Sequence, residues 1–250
     1  MRLIYAEWLK LVRRRGTMIW CSLLTIGSVL IANIVLVALH AANSGRHGPA
    51  GGADNFRHVA FLLAGLGNVA AILIGAAAGS QDASSGVLRD LVVTGRPRKT
   101  LFRVRLPGAL AAFLPLLAIG YGLTVLGAFA FAGDLPRPSG DWVGRYAAYM
   151  VLITIVDIAI AIGLASFAPS RVVVGVLIAW NAIVSHLLIA IGSLGGARKV
   201  IDVAAAEHIL PRVDRDNAVP MSTGIALVVL VVWIVIFQRA GEWWMSRRDV

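Results

Sequence analysis

The chain has 250 residues, of which 58% are apolar and only 14% charged, with a mean hydropathy of +0.81. Water-soluble domains carry about a quarter charged residues, so a soluble fold is excluded. The net charge of +10 would ordinarily raise nucleic acid as a partner, but the basic residues gather at the ends of long uncharged runs, with no aromatic-interleaved basic face. One cysteine, Cys21, lies inside an apolar run and supports neither a disulfide framework nor a cysteine metal cluster.

The fold class expected is all-α: one polytopic transmembrane domain over residues 1–250, with six spans. The first element is residues 1–15. In a helix, Ile4, Trp8, Leu11 and Val12 share one face while Arg2, Lys10, Arg13 and Arg14 fall largely elsewhere. Such a stripe reads either as a helix lying in the membrane interface or as a basic flank that orients the first span. A hydrocarbon core about 30 Å thick needs roughly 20 apolar residues of helix. Six runs meet that length: 17–41, 59–79, 106–132, 146–167, 172–194 and 221–237. The first run is too long for the apolar region of a cleaved signal peptide and reads as a retained span. The third contains Pro115 and several glycines, which lipid-embedded helices tolerate. Gly75 and Gly79 form a GxxxG pattern whose packing partner the sequence does not name.

With the N-terminus placed inside, fifteen of the 23 Lys and Arg residues fall on cytoplasmic segments, and the acidic residues lean outward. Both termini are therefore expected in the cytoplasm. The Ala-, Gly- and Arg-rich, Lys-poor composition points to a GC-rich bacterial genome, and so to a bacterial plasma (inner) membrane.

Two connections are more than turns. In the cytoplasmic segment 80–105, Ser84 or Ser85 can cap a short helix from Gly86 to about Thr94, with Leu88, Leu91 and Val92 on one face and Gly95 and Pro97 ending it. It reads either as an element presented to a soluble partner or as a basic loop drawn to anionic lipid. The outside segment 195–220 mixes Val200, Ile201, Ala204, Ile209 and Leu210 with Arg198, Lys199, Glu207 and His208. That is too polar to span and too apolar for a plain loop, and it predicts an interfacial or re-entrant helix.

No catalytic constellation or metal-ligand spacing stands out. The stretch Gly95 to Thr100 lacks the second glycine and the strand of a phosphate-binding loop. Ser185 and His186 are neighbours on a helix, pointing about 100° apart, so they are not expected to form a dyad; His186 reads as a buried polar contact. Asp157, mid-span, is the sharpest single residue, because a carboxylate at that depth must be paired, hydrated or protonated. Asn181, His186 and Asn68 are its possible partners. It reads either as a functional group facing a cavity or subunit interface, or as a neutral residue joining two helices.

The layout resembles the permease subunits of ATP-binding-cassette (ABC) transporters of the export-type (type-2) class. The likeness rests on Glu7, Trp8 and Lys10 ahead of the basic step Arg13 to Arg15. It rests also on Gly86, Leu88, Arg89, Leu91 and Val92 with Pro97 and Arg98, and on the tail Trp243 to Asp249. The sequence departs from the family's pattern where Gln81 and Asp82 replace a Glu, Val87 a Thr, and Arg105 a Lys. The resemblance implies an interfacial helix at Glu7, Trp8 and Lys10. It implies an ATPase-coupling helix carrying Gly86, Leu88, Arg89, Leu91, Val92 and Arg98, and re-entrant helices before the last span. It implies two permease chains, identical or homologous, working with two cytoplasmic ABC ATPase subunits that hold ATP-Mg, while this chain binds no cofactor itself. The alternative is an ion-gradient-driven secondary transporter or channel using Asp157; the halves show none of the repeat symmetry common in such transporters.

Overall fold

The computed structural model describes residues 2–84, 97–211 and 219–247. Helix α1 (Arg2–Val12) is followed by α2 (Arg15–Ala42), α3 (Gly52–Ser84), the short α4 (Arg98–Arg103), α5 (Arg105–Ala130), α6 (Gly140–Leu164) and α7 (Ser170–Ala190). A 3-10 stretch over Gly192–Val200 leads into α8 (Asp202–Ile209), and α9 (Thr223–Arg247) closes the order. Among the described residues six helices are long and apolar enough to cross a membrane: α2, α3, α4 with α5, α6, α7 and α9.

The apolar runs predict these helices, but their ends differ. Helix α3 extends beyond residues 59–79 in both directions, because Gly52 to His58 and Ser80 to Ser84 carry on the helical ladder without being apolar. It runs through Ser84; Ser85 and the helix expected over Gly86 to Thr94 lie outside the described residues. Helix α7 stops at Ala190, short of the expected 194, where Ile191 turns extended (φ −74°, ψ 97°). Helix α9 runs ten residues past the expected end at Phe237. Its tail is held by the ion pair Arg103–Glu242 (2.9 Å) and by Trp244 against Phe167 (ring centroids 5.4 Å). Pro115 sits inside an α5 that continues through it.

Helices α3 and α6 form the centre. More than half of the apolar window of each is buried within the bundle, against 17% for α2, α7 and α9. The GxxxG pair is the reason α3 and α6 approach so closely: Gly75 and Gly79 lie against Ile158, Ala161, Ile162 and Ala165 of α6. The peripheral helices turn large apolar side chains outward, among them Ile31 and Ile34 on α2 and Val228 and Ile236 on α9. A face of that kind has no stable place in water and fits a hydrocarbon surround.

Helix α1 is separate from α2, broken at Arg13–Arg14, and packs on the start of α5. Leu11 is fully buried, and Trp8 and Val12 pack on the core, so the apolar stripe is turned at least in part toward the bundle. Glu7 is buried beside Gly108, which leaves room for its Cβ, and pairs with Lys10 at 2.6 Å.

Candidate functional site

A cavity of about 170 Å³ opens between α3, α6, α7 and α8. Helix α3 contributes Phe61 and Asn68, α6 Tyr149 and Asp157, α7 Asn181 and His186, and α8 Asp202 and Glu207. The intramembrane polar residues singled out from the sequence, Asp157, Asn181 and His186, therefore meet in one place, with Asn68 beside them.

Local backbone geometry aims these groups. Residues Trp180–Val184 form one π-helical turn inside α7. Such a turn inserts an extra residue and rotates the side chains after it, and it is common at functional sites. Here it carries Asn181, whose Nδ2 donates to Asn68 Oδ1 at 3.1 Å and which also reaches the Asp157 carboxyl. It carries Trp180 as well, whose indole N–H donates to Asp202 Oδ1 at 2.9 Å.

Helix α8 arrives by a fold-back. Trp233 donates its indole N–H to the Val200 carbonyl at 2.8 Å and packs at a tilt against Trp180 (centroids 5.9 Å, interplanar angle 38°). Trp233 lies ten residues into α9, so at 1.5 Å rise the chain returns about 15 Å along that helix before α8 begins. Ala204 and Ala205 on α8 are buried, and Ala205 packs in the cluster that includes Ala226 and Leu230 of α9.

The electrostatics are lopsided toward negative charge. Asp157 and Asp202 are each only 6% exposed and close enough to feel each other's charge. Oδ2 of Asp157 is buried with no hydrogen-bond partner. Burial raises the Asp202 carboxyl above its ordinary range, with the Trp180 N–H pulling the other way. Glu207 faces His186 Nε2 at 3.2 Å. No Lys or Arg is among the described residues that line the cavity.

Two expectations need correction. His186 is not buried: its side chain is half exposed, at 50%, and its polar partner is Glu207. Ser185 Oγ also lies 3.4 Å from His186 Nδ1, because both side chains lean toward one another just after the π turn. The pair is nonetheless unsuited to nucleophilic chemistry, since Ser185 is fully buried, does not line the cavity and spends its hydroxyl on the Asn181 carbonyl. No group of three or more His, Cys, Asp or Glu among the described residues is arranged to hold a metal ion.

Of the coupling residues read from the sequence, Gly86, Leu88, Arg89, Leu91 and Val92 lie outside the described residues, while Arg98 opens α4. The base of that connection is described. Arg105 is buried, and its Nη1 donates to the Gly79 carbonyl at 2.8 Å, tying the start of α5 to α3. Sequence reasoning missed Asp202 and the cavity role of Glu207. The one signal available was a pair of carboxylates in a segment too apolar to be an ordinary loop.

No protein-family model matches the chain, and no curated protein matches it either.

Proposed function

We propose that this chain is the membrane-spanning permease subunit of an export-type ABC transporter in a bacterial inner membrane, with both termini cytoplasmic. It forms the substrate path with a second permease chain and is driven by separate cytoplasmic ATPase subunits that hydrolyse ATP-Mg. The observation that carries this reading is the Arg105–Gly79 bond across the base of the 80–105 connection. A push delivered to that connection by a docked ATPase reaches α3 and α5 together through this bond. Helix α3 is the wall shared with α6, and Asn68 on α3 lines the cavity.

Three further features support it. Helix α1 packs on the first turns of α5 beside the same connection, with Trp8 and the Glu7–Lys10 pair where an interfacial helix of the family would sit. The fold-back of the 3-10 stretch and α8 along α9 has the form of a re-entrant segment on the extracytoplasmic side. The polar cavity lies among three helices of membrane length and α8, and no catalytic set stands among its described lining residues, which fits a path better than an enzyme site.

The test is co-purification. The tagged chain, extracted in mild detergent from its native host, is expected to bring down a soluble ATPase. The Leu88→Asp/Leu91→Asp variant is expected to lose it while remaining monodisperse. A folded chain that recovers no ATPase overturns the reading.

A second reading, an ion-gradient-driven secondary transporter, is favoured by the unpartnered Oδ2 of Asp157 in the cavity. Uptake driven by a proton gradient into vesicles holding this chain alone, and abolished in Asp157→Asn, would establish it.

A further inference from the structure

We propose that the cavity between α3, α6, α7 and α8 binds a protonated organic amine, its ammonium held by Asp157 and Asp202 and its carbon skeleton laid against Phe61 and Tyr149. This names the class of cargo that the permease reading leaves open. Its relevance to transport rests on that reading, whereas the binding itself needs no ATPase.

Asp157 is 6% exposed, lines the cavity, and has one carboxylate oxygen without a hydrogen-bond partner. A buried carboxyl left in that state costs free energy unless a donor or a positive charge arrives. Asp202, equally buried, adds a second carboxyl within reach of the first one's charge; its donors are the Trp180 indole and the backbone N–H groups of Asp202 and Val203, none of which carries a positive charge. Among the described lining residues no Lys or Arg supplies the balancing charge, and the one basic side chain, His186, is turned to Glu207. An anionic ligand would be repelled by an ionised carboxyl, and a neutral one would do nothing to offset the cost of ionising a buried carboxyl, whereas a cation offsets it.

Size and lining then choose among cations. About 170 Å³ is far more than a single metal ion occupies, and no described cluster of His, Cys, Asp and Glu is arranged for one. An alkylammonium with an apolar body uses the whole space. Its N–H groups meet the carboxyls, while Phe61 and Tyr149 offer aromatic surface to the charge and to the skeleton. The fold-back of α8 brings Asp202 into place, so the site exists only in the tertiary structure.

The experiment is isothermal titration of the purified full chain in detergent micelles with phenethylamine, and with 2-phenylethanol as the neutral counterpart of the same shape. Phenethylamine is expected to bind at least about tenfold more tightly, the scale of one charge-assisted bond. Asp157→Asn and Asp202→Asn are expected to lose that tenfold preference. Asp141→Asn, which removes an exposed carboxylate paired with Arg145 outside the cavity, is expected to keep it. Equal affinity for the two ligands overturns the proposal. So does the absence of saturable amine binding up to about 10 mM, or an undiminished amine preference in the folded Asp157 and Asp202 variants. If one variant does not purify as a single species, the other decides. If neither does, the amine-against-alcohol comparison in the wild-type chain decides.

Discussion

The close approach of α3 and α6 is the packing feature on which the rest of the bundle depends, and adding one methyl group tests it. In Gly79→Ala the new Cβ would stand 2.6 Å from Ala165 Cβ and 2.7 Å from the Ile162 carbonyl oxygen; at Gly75 the corresponding contacts are 2.8 Å to Ala161 Cβ and 2.9 Å to the Ile158 oxygen. Carbon atoms rest about 3.5–4.0 Å apart, so the helices must separate by about 1 Å. Two of the obstructing atoms are backbone, which cannot swing away. Overpacking of this kind costs about 1–3 kcal/mol. The helix propensity gained in replacing Gly returns up to about 1 kcal/mol. The net expectation is a loss of up to about 2 kcal/mol for either substitution against wild type, the difference of those two effects, and of about 1–3 kcal/mol against a Gly→Ala change that meets no clash. Gly67→Ala, on the same helix, is the control. Its Cβ would meet only Leu117 Cδ1 at 3.6 Å, an ordinary contact, so the propensity term prevails and stability should hold or rise. Reversible unfolding in mixed detergent micelles, followed by circular dichroism, gives the free energies. If Gly75→Ala and Gly79→Ala are as stable as Gly67→Ala, the two helices do not meet at these glycines and the reasoning fails.

At the end of the bundle where α4 meets α9, Glu242 is 8% exposed and held by Arg103 at 2.9 Å, with Arg239 more distant at 3.9 Å. Arg103→Ala should therefore cost about 1–3 kcal/mol, because a nearly buried carboxylate loses its near partner. Arg239→Ala should cost less than about 1 kcal/mol; equal losses in the same unfolding assay would contradict this assignment. The Asp202 carboxyl is raised above its ordinary 3.8 by burial. A group that holds its proton more tightly when folded contributes stability in full below its unfolded value, and that contribution is lost as pH rises through the folded value. Asp202→Asn keeps an acceptor for the Trp180 indole and removes the titration. It is expected to melt higher than wild type near pH 8, with the gap closing toward about pH 4. A gap that does not change with pH would refute burial as the cause.

The tertiary structure also changes what the polar residues of the spans mean. Asp157 taken alone is equally a neutral residue joining two helices and a functional group. Beside Asp202, with Asn181 and Asn68 completing a polar wall, it belongs to a cavity with an excess of carboxylates. His186, a half-exposed side chain, meets the carboxylate of Glu207 on α8, a contact that only the fold-back supplies.

Sequence alone determined the helices of membrane length, because apolar run length and helix rise are local quantities that need no partner. It marked Asp157 for the same reason: the cost of a carboxylate in an apolar run follows from its immediate neighbours. It also located the segment before the last long helix as something other than a loop. Helix ends were less legible, since Gly52 to His58 and Gln238 to Arg247 are helical through packing and ion pairing and not through apolarity. The partner of the GxxxG face, the π turn that swings Trp180 and Asn181 inward, and the fold-back bringing Asp202 to Asp157 were decided only in three dimensions. Each depends on which surfaces meet across more than twenty residues of chain, and periodicity within one helix carries no information about the helix it will face.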